Sequence, residues 1–248
     1  MNKKQLFLIS SSRYSGADSV FFAHCLDSLG KFLGPAVPGH NKVAFFPYAK
    51  ADRDYDGYTK MVSEPFSKIG YEVISDHEYM ERLHVLHDPA VVAIFIGGGN
   101  TWVLLNELYE RKLMNAIREE VMTGHKKYIG ASAGTVVACP TIMTTNDMAP
   151  VRPPTFNALG LIPYQINPHF VPGSLVPKHM GETREERIQQ VLMYNPDFHI
   201  IGLPEGCWIK NEGNGYTLCG TGNAKFFRKS GIIIDWESGA WFSEENMG

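Results

Sequence analysis

The stretch KKYIGASAGTVVACP, residues 126–140, decides how this chain is organised. An apolar run leads into Gly130, Ala131, Ser132, Ala133 and Gly134, and small or β-branched residues follow. This pattern predicts a buried strand that ends at the serine and turns sharply into a helix. Bulky side chains two positions before and after the serine would clash in such a turn, so glycine is expected at both. The alternative is a structural turn whose serine caps the helix.

Segments around this stretch alternate between short apolar runs and amphipathic stretches. Apolar runs predict strands at residues 6–9, 43–46, 71–74, 91–96 and 128–131. Helical spacing of apolar residues predicts helices at residues 17–33, 55–69 and 101–122, the last with one break. Strands that alternate with helices predict a mostly parallel sheet that is covered by helices on both faces.

The C-terminal part of the chain follows a different pattern. Residues 198–203 predict one more buried strand, at the same edge of the sheet as Ser132. Turn signals at residues 211–215 and 229–231, each flanked by short apolar segments, predict two antiparallel hairpins. We therefore expect residues 1–248 to form a single α/β domain whose mostly parallel sheet has a C-terminal antiparallel hairpin extension.

Composition and charge argue against several classes of protein. The chain has 248 residues, of which 44% are hydrophobic and 20% charged, and its net charge is −3. The chain has no block of Lys and Arg that would indicate a nucleic-acid partner. No apolar run approaches the roughly 18 residues that are needed to cross a bilayer. The four cysteines form no CxxC pair, so free thiols in a cytoplasmic protein are expected.

A serine at a strand-to-helix turn is typical of a nucleophile, which needs a base and donors for an oxyanion. The N–H of Ala133, at the start of the next helix, is one predicted donor. Gly98 and Gly99, which follow an apolar strand, are the other candidates, because glycine lets a substrate approach the backbone closely. A dinucleotide-binding turn is the rival interpretation, but Trp102 occupies the place of its third glycine.

Among nine histidines, His169 is the favoured base because it lies in an apolar bracket within the loop-rich region after the serine. Glu205, in GLPEG after the strand predicted at residues 198–203, is the favoured acid partner. A structural histidine and an exposed turn glutamate are the alternatives. The order Ser, His, Glu argues against an α/β-hydrolase, in which the histidine comes last. No HExxH motif or zinc-like spacing of Cys and His indicates a metal site.

Seven motifs are spread over most of the chain. They are GGGNT at 97–101, YIGASA at 128–133, CPTI at 139–142, TTNDM at 144–148, QINPHF at 165–170, GETRE at 181–185 and IGLPEG at 201–206. Together they resemble the S51 serine peptidases, the family of the α-aspartyl dipeptidases known as peptidase E. The resemblance implies a fold like class I glutamine amidotransferase domains and a triad of Ser132, His169 and Glu205. It also implies hydrolysis of Asp-Xaa dipeptides through an acyl-enzyme, without a metal or other cofactor.

An aspartyl side chain needs a fixed cation, and Arg184 is the candidate because arginine can grip a carboxylate with two hydrogen bonds. A salt-bridged helix start is the alternative interpretation of the same segment. Candidates for binding the substrate's amino group and carboxylates are Asn100, Thr101, Thr145 and Asn146. The sequence departs from the family where Met143 replaces an arginine and Ala131 a tryptophan, which weakens the expectation of strict aspartyl specificity.

Two other functions stay open at this point. A related S51 hydrolase, similar to cyanophycinase, would cleave a different acidic peptide and would need an open groove for a polymer. A non-catalytic sensor of a small acidic ligand would keep its ligand binding after Ser132→Ala. The expected partner is a small peptide substrate, with no nucleic acid and no membrane, and the expected state is a monomer or homodimer.

Overall fold

The computed structural model describes residues 4–14, 20–79, 84–172, 181–213, 215–228 and 231–243. The strands are β1 (Gln5–Ile9), β2 (Lys42–Phe46), β3 (Glu72–Ser75), β4 (Val91–Ile96), β5 (Lys127–Ala131), β6 (Gln165–Pro168), β7 (Ile200–Leu203), β8 (Cys207–Glu212), β9 (Gly215–Gly220), β10 (Ala224–Phe227), β11 (Ile233–Trp236) and β12 (Trp241–Ser243). The α-helices are α1 (Leu26–Leu33), α2 (Tyr55–Lys68), α3 (His84–His87), α4 (Thr101–Glu110), α5 (Leu113–Met122), α6 (Ala133–Val137) and α7 (Arg184–Tyr194), and a 3₁₀ helix spans Asp76–Glu78. Within these ranges, no helix is both long and apolar enough to cross a membrane.

The larger sheet has eight strands in the order β12-β9-β8-β1-β5-β4-β2-β3. The five strands from β1 to β3 in this order pair in parallel, whereas β8, β9 and β12 pair antiparallel. This arrangement confirms the predicted mostly parallel sheet with an antiparallel C-terminal extension. The carboxyl ends of the parallel strands meet at one edge, where ligands bind in sheets of this type.

A second sheet of four strands has the order β11-β10-β7-β6. The sequence analysis placed residues 198–203 at the edge of the same sheet as Ser132, and that placement was wrong. Strand β7 pairs in parallel with β6, while β8 pairs with the free edge of β1. An apolar run predicts that a strand is buried, but it does not show which strand pairs with it. The sequence pattern therefore could not assign the strands to two different sheets. The loop-rich region predicted after the serine contains β6, and residues 173–180 lie outside the described ranges.

Helices cover both faces of the parallel strands, as predicted. In β4, Ala93 and Phe95 face a core that includes side chains of α1 and α2. Ile94 and Ile96 face the opposite core, which includes side chains of α4, α5 and α6. Alternate residues therefore bury on opposite faces, which explains why the parallel strands are apolar throughout.

The helix predicted at residues 17–33 is shorter in the structure, where α1 begins at Leu26. Phe22 has a φ of 61°, a left-handed conformation that no α-helix can include. Its buried ring packs against Phe66 and Phe95, so core packing overrides the helical spacing of the sequence. Residues 17–19 lie outside the described ranges. The break predicted within residues 101–122 is confirmed at Lys112, whose φ is 59°.

Candidate active site

Ser132 joins β5 to α6 in a strained backbone conformation. Its φ of 51° and ψ of −109° lie where residues other than glycine are rare. The side chain makes no capping hydrogen bond to α6. Instead, its Oγ lies 2.8 Å from Nε2 of His169. The turn is therefore not a serine cap, and it presents the hydroxyl to a histidine.

Gly130 and Gly134 are required by the close approach of backbone atoms around this turn. A Cβ at Gly134 would lie 2.0 Å from the carbonyl oxygen of Ile96, and one at Gly130 would lie 2.6 Å from that of Gly134. Backbone atoms within a packed sheet and helix cannot move aside as a flexible side chain can. The expectation of glycine at both positions is thus explained by steric exclusion.

We expect Gly134→Ala to lower the free energy of unfolding by about 3 kcal/mol, because the added methyl group overpacks a site enclosed by backbone. Urea denaturation followed by circular dichroism measures this change. Gly222→Ala is the matched control, since its Cβ would meet only ordinary contacts, the nearest at 3.4 Å from Cys207 Sγ. Equal stabilities of the two variants would contradict the steric explanation.

His169 follows β6, and its backbone is held by a buried serine. Its φ is 54°, and its N–H donates to Oγ of Ser10 over 2.9 Å. The hydroxyl of Ser10 donates in turn to the carbonyl oxygen of Leu203 over 2.8 Å. Ser10 therefore joins the ends of β1, β6 and β7, across the boundary between the two sheets. Sequence reasoning missed this residue, although its place directly after β1 was a usable signal.

Glu205 completes a chain of hydrogen bonds through His169. Its Oε1 lies 2.7 Å from Nδ1 of His169, so the imidazole bridges the carboxylate and the Ser132 hydroxyl. With the proton on Nδ1, the ring donates to Glu205, and Nε2 is free to accept the serine proton. The three residues predicted from sequence are thus brought together, although they come from different sheets. Their catalytic roles belong to the proposal below.

The candidate oxyanion donors lie next to the serine. A Cβ at Gly98 would be 3.2 Å from Cβ of Ser132, which shows how closely the two backbones approach. The N–H of Ala133 opens α6 and therefore has no partner inside the helix. Gly99 has a φ of 141°, and its N–H belongs to the Gly98–Gly99 peptide. Binding of an oxyanion by these groups stays a prediction.

Tyr58, which sequence reasoning missed, orients this peptide. Its hydroxyl donates to the carbonyl oxygen of Gly98 over 3.1 Å. Burial raises the pKa of Tyr58, so the hydroxyl remains a proton donor. In a trans peptide the N–H points away from the C=O, and the bond from Tyr58 therefore sets the direction of the Gly99 N–H. A side chain at Gly97 would collide with the Tyr58 hydroxyl, at 2.3 Å.

Arg184 begins α7, directly after the capping residue Thr183. Its Nη1 donates to Oδ1 of Asn146, whose Nδ2 donates to the carbonyl oxygen of Pro168 over 2.9 Å. Arg184 is thereby linked to the residue that precedes His169. Burial, and then the positive charge of Arg187, lowers the pKa of Arg184, but an arginine stays charged under ordinary conditions.

The alternative interpretation, a salt-bridged helix start, describes Arg187 rather than Arg184. Arg187 lies 3.9 Å from Oε2 of Glu182 and forms that kind of ion pair. Among the described residues, no carboxylate forms an ion pair with the guanidinium of Arg184. Arg184 therefore keeps a charge that a substrate carboxylate could neutralise.

Three other predicted binding residues use their polar groups within the protein. The hydroxyls of Thr101 and Thr145 donate to Oδ2 of Asp147 over 2.6 Å and 3.1 Å. Asn100 caps α4 through Oδ1 and donates from Nδ2 to the carbonyl oxygen of Met148. Asp147, which the sequence analysis did not single out, organises this group. Roles of these three residues in substrate binding stay predictions.

The two residues that depart from the family pattern, Ala131 and Met143, differ in burial. Ala131 is fully buried in the core on the α1 and α2 side of the sheet. Met143 is 38% exposed, in the turn after α6. Replacement of tryptophan by Ala131 therefore alters packing beneath Ser132, and Met143 leaves its turn without the positive charge that arginine would carry.

A cavity of about 320 Å³ lies beside Ser132 and His169. The segment after β1, the segment after β4 and helix α2 line it, together with Phe21 and Lys50. Its charged lining residues are Arg13, Lys50 and Asp54, and Gly98, Gly99 and Tyr58 also contribute. Throughout the described ranges, no group of three or more His, Cys, Asp or Glu side chains is placed to hold a metal ion.

Comparisons with known proteins identify relatives of this chain. The model of peptidase family S51 matches residues 6–219. A peptidase E of Nostoc sp. is 41% identical over 225 residues, which cover 91% of this chain and 89% of that protein. A probable alpha-aspartyl dipeptidase of Drosophila melanogaster is 40% identical over 228 residues, which cover 92% of this chain and 91% of that protein.

Two solved structures resemble the chain in fold. A putative peptidase E protein from Listeria monocytogenes EGD-e has a TM-score of 0.63 at 23% identity, covering 88% of this chain and 99% of that one. A peptidase from an acI-B1 actinobacterium has a TM-score of 0.68 at 16% identity, covering 97% of both chains. At these identities the two structures show the shared fold and nothing about substrates.

Proposed function

Because this chain belongs to peptidase family S51, we propose that it is a serine dipeptidase that hydrolyses Asp-Xaa dipeptides through Ser132, His169 and Glu205. The observation that carries the proposal is the continuous hydrogen-bonded chain from the strained Ser132, through both nitrogens of His169, to Glu205. The relatives named peptidase E and probable alpha-aspartyl dipeptidase support the substrate class.

In the proposed reaction, Oγ of Ser132 attacks the carbonyl carbon of the peptide bond, and Nε2 of His169 accepts the hydroxyl proton. The charged carbonyl oxygen of the tetrahedral intermediate is held by the N–H of Ala133 and the N–H of Gly99 or Gly98. His169 then gives its proton to the leaving amine, the C–N bond breaks, and an ester links the aspartyl residue to Ser132. Water, deprotonated by His169, hydrolyses this ester and restores the enzyme.

Arg184 is proposed to bind the β-carboxylate of the N-terminal aspartyl residue. It begins α7, where the helix dipole also favours a negative charge. Asn146 holds the guanidinium and is itself anchored next to His169. These two hydrogen bonds connect Arg184 to Pro168, the residue before His169, and this connection supports the proposed role.

The proposed activity is tested by hydrolysis of Asp-Leu, Glu-Leu, Ala-Leu and N-acetyl-Asp-Leu, each measured with a chelator present. We expect turnover of Asp-Leu and at most slow turnover of the other three. Selective cleavage of peptides longer than three residues would instead favour a hydrolase acting on an acidic polymer. Binding of aspartate without turnover of any peptide would favour a sensor.

Arg184→Met is expected to lower kcat/KM for Asp-Leu about 100-fold, because a charge-assisted hydrogen bond contributes about 1.5–3 kcal/mol. Any slow turnover of Ala-Leu should change less than twofold, since alanine offers no side-chain carboxylate. Arg187→Met is the matched control, being an arginine on the same turn of α7 that pairs with Glu182. An equal loss for Asp-Leu and Ala-Leu would show that Arg184 does not select the aspartyl side chain.

A further inference from the structure

The cavity beside Ser132 is lined by a cationic side chain, Arg13, that has no role in the proposed reaction. We propose that Arg13 binds the free α-carboxylate of the second residue of the dipeptide, which is the residue that leaves with the amine. The inference rests on the proposed function and deepens it, since it names the feature of the substrate that would restrict the enzyme to dipeptides.

Arg13 lines the cavity together with His169. It follows β1 closely, and Ser10 at the end of that strand binds the N–H of His169. The backbone N–H of Arg13 lies 3.3 Å from Oγ of Ser11, and its Nη2 lies 3.3 Å from Sδ of Met61 on α2. The guanidinium therefore spans the space between the segment after β1 and α2, where the cavity opens.

The chemistry of the reaction places the leaving residue near His169. The leaving nitrogen must lie within hydrogen-bond reach of Nε2 of His169 to receive its proton. In a dipeptide, only the α-carbon separates this nitrogen from the terminal carboxylate. A carboxylate tethered so closely to the nitrogen has to be accommodated in the cavity that His169, Ser132 and Arg13 share.

Charge pairing in the cavity lining singles out Arg13. Lys50 Nζ lies 2.9 Å from Oδ2 of Asp52 and is already paired. Asp54 accepts the N–H of Gly57 over 3.0 Å as the cap of α2. Within the described part of the chain, Arg13 forms no ion pair, and its polar side-chain contact is with the sulfur of Met61. Its fork of donors therefore suits an incoming carboxylate.

The assignment is tested by comparing Asp-Leu with Asp-leucinamide, which lacks only the terminal charge. We expect the wild type to prefer Asp-Leu by about 30-fold in kcat/KM, mostly through KM. Arg13→Met should reduce this preference to within about threefold and leave Asp-leucinamide hydrolysis within about twofold of wild type. Lys50→Met, which removes the other cation of the lining, should retain the preference.

Several results would overturn the assignment. One is an equal loss of kcat/KM for both substrates in Arg13→Met. The others are a wild type that does not distinguish the two substrates, and a loss of the preference for Asp-Leu in Lys50→Met alone. A loss of discrimination between Asp-Leu and Ala-Leu in Arg13→Met would instead assign Arg13 to the aspartyl side chain. If the wild type hydrolysed neither Asp-Leu nor its amide, the proposed function itself would fail, and this assignment with it.

Discussion

Ser132→Ala is expected to lower kcat for Asp-Leu by about 10⁶-fold, the scale of loss when a serine peptidase loses its nucleophile. The Oγ of Ser132 is the atom that His169 faces at 2.8 Å, and alanine has no group that can form the acyl-enzyme. The fold should be preserved because the side chain makes no capping bond to α6. Progress curves at high enzyme concentration, with product separated chromatographically, measure the remaining activity.

The matched control for this variant is Ser63→Ala. The hydroxyl of Ser63 donates to the carbonyl oxygen of Thr59 within α2, so its removal deletes a serine hydroxyl that takes no part in the proposed reaction. This control should hydrolyse Asp-Leu at the wild-type rate. Retention of more than about 1% of activity by Ser132→Ala would show that Ser132 is not the nucleophile.

Glu205→Gln is expected to lower kcat for Asp-Leu about 10³-fold. The carboxylate lies 2.7 Å from Nδ1 of His169, where it favours the tautomer with a basic Nε2 and stabilises the imidazolium formed during acylation. An amide group can donate to Nδ1 instead, which moves the ring proton to Nε2 and prevents it from accepting the serine proton. Because 44% of the Glu205 side chain is exposed, solvent also stabilises the imidazolium, and the loss should be below the roughly 10⁴-fold seen for buried acids.

Glu212→Gln is the matched control for Glu205→Gln. Glu212 is similarly exposed, at 49%, and pairs with Lys210 over 2.9 Å on β8 rather than with a histidine. Its replacement should leave kcat unchanged. If both glutamine variants hydrolysed Asp-Leu at the wild-type rate, the carboxylate beside His169 would have no part in the reaction.

Part of the candidate site could be predicted because some of the residues that it requires lie close together in the sequence. Gly130 and Gly134 flank Ser132 at fixed spacing, and the turn that needs them is built from consecutive residues. His169 was proposed from its apolar bracket in the loop-rich region, and Glu205 from its position after a predicted strand. The structure places both within 2.8 Å of a partner in the same hydrogen-bonded chain.

Other features depended on which distant segments meet. Ser10 lies 159 residues from His169 in sequence, and Tyr58 lies 40 residues from Gly98, so no local pattern indicated either hydrogen bond. The hydrogen bond from Thr101 to Asp147 also became visible only when the turn after α6 was placed against the start of α4. In each case the sequence shows that the groups are polar, but it does not show which of them form a hydrogen bond with each other.

The sequence by itself determined the alternation of apolar strands with amphipathic helices, the glycine-flanked turn at Ser132 and the family motifs. These are properties of short segments, set by side-chain burial and by steric limits on the backbone. Only the tertiary structure decided that β7 belongs to a second sheet, that α1 begins at Leu26 and that Ser10 joins the two sheets at His169. The physical reason is that strand pairing and core packing are selected by the free energy of the whole fold, in which a segment's neighbours matter as much as its own pattern.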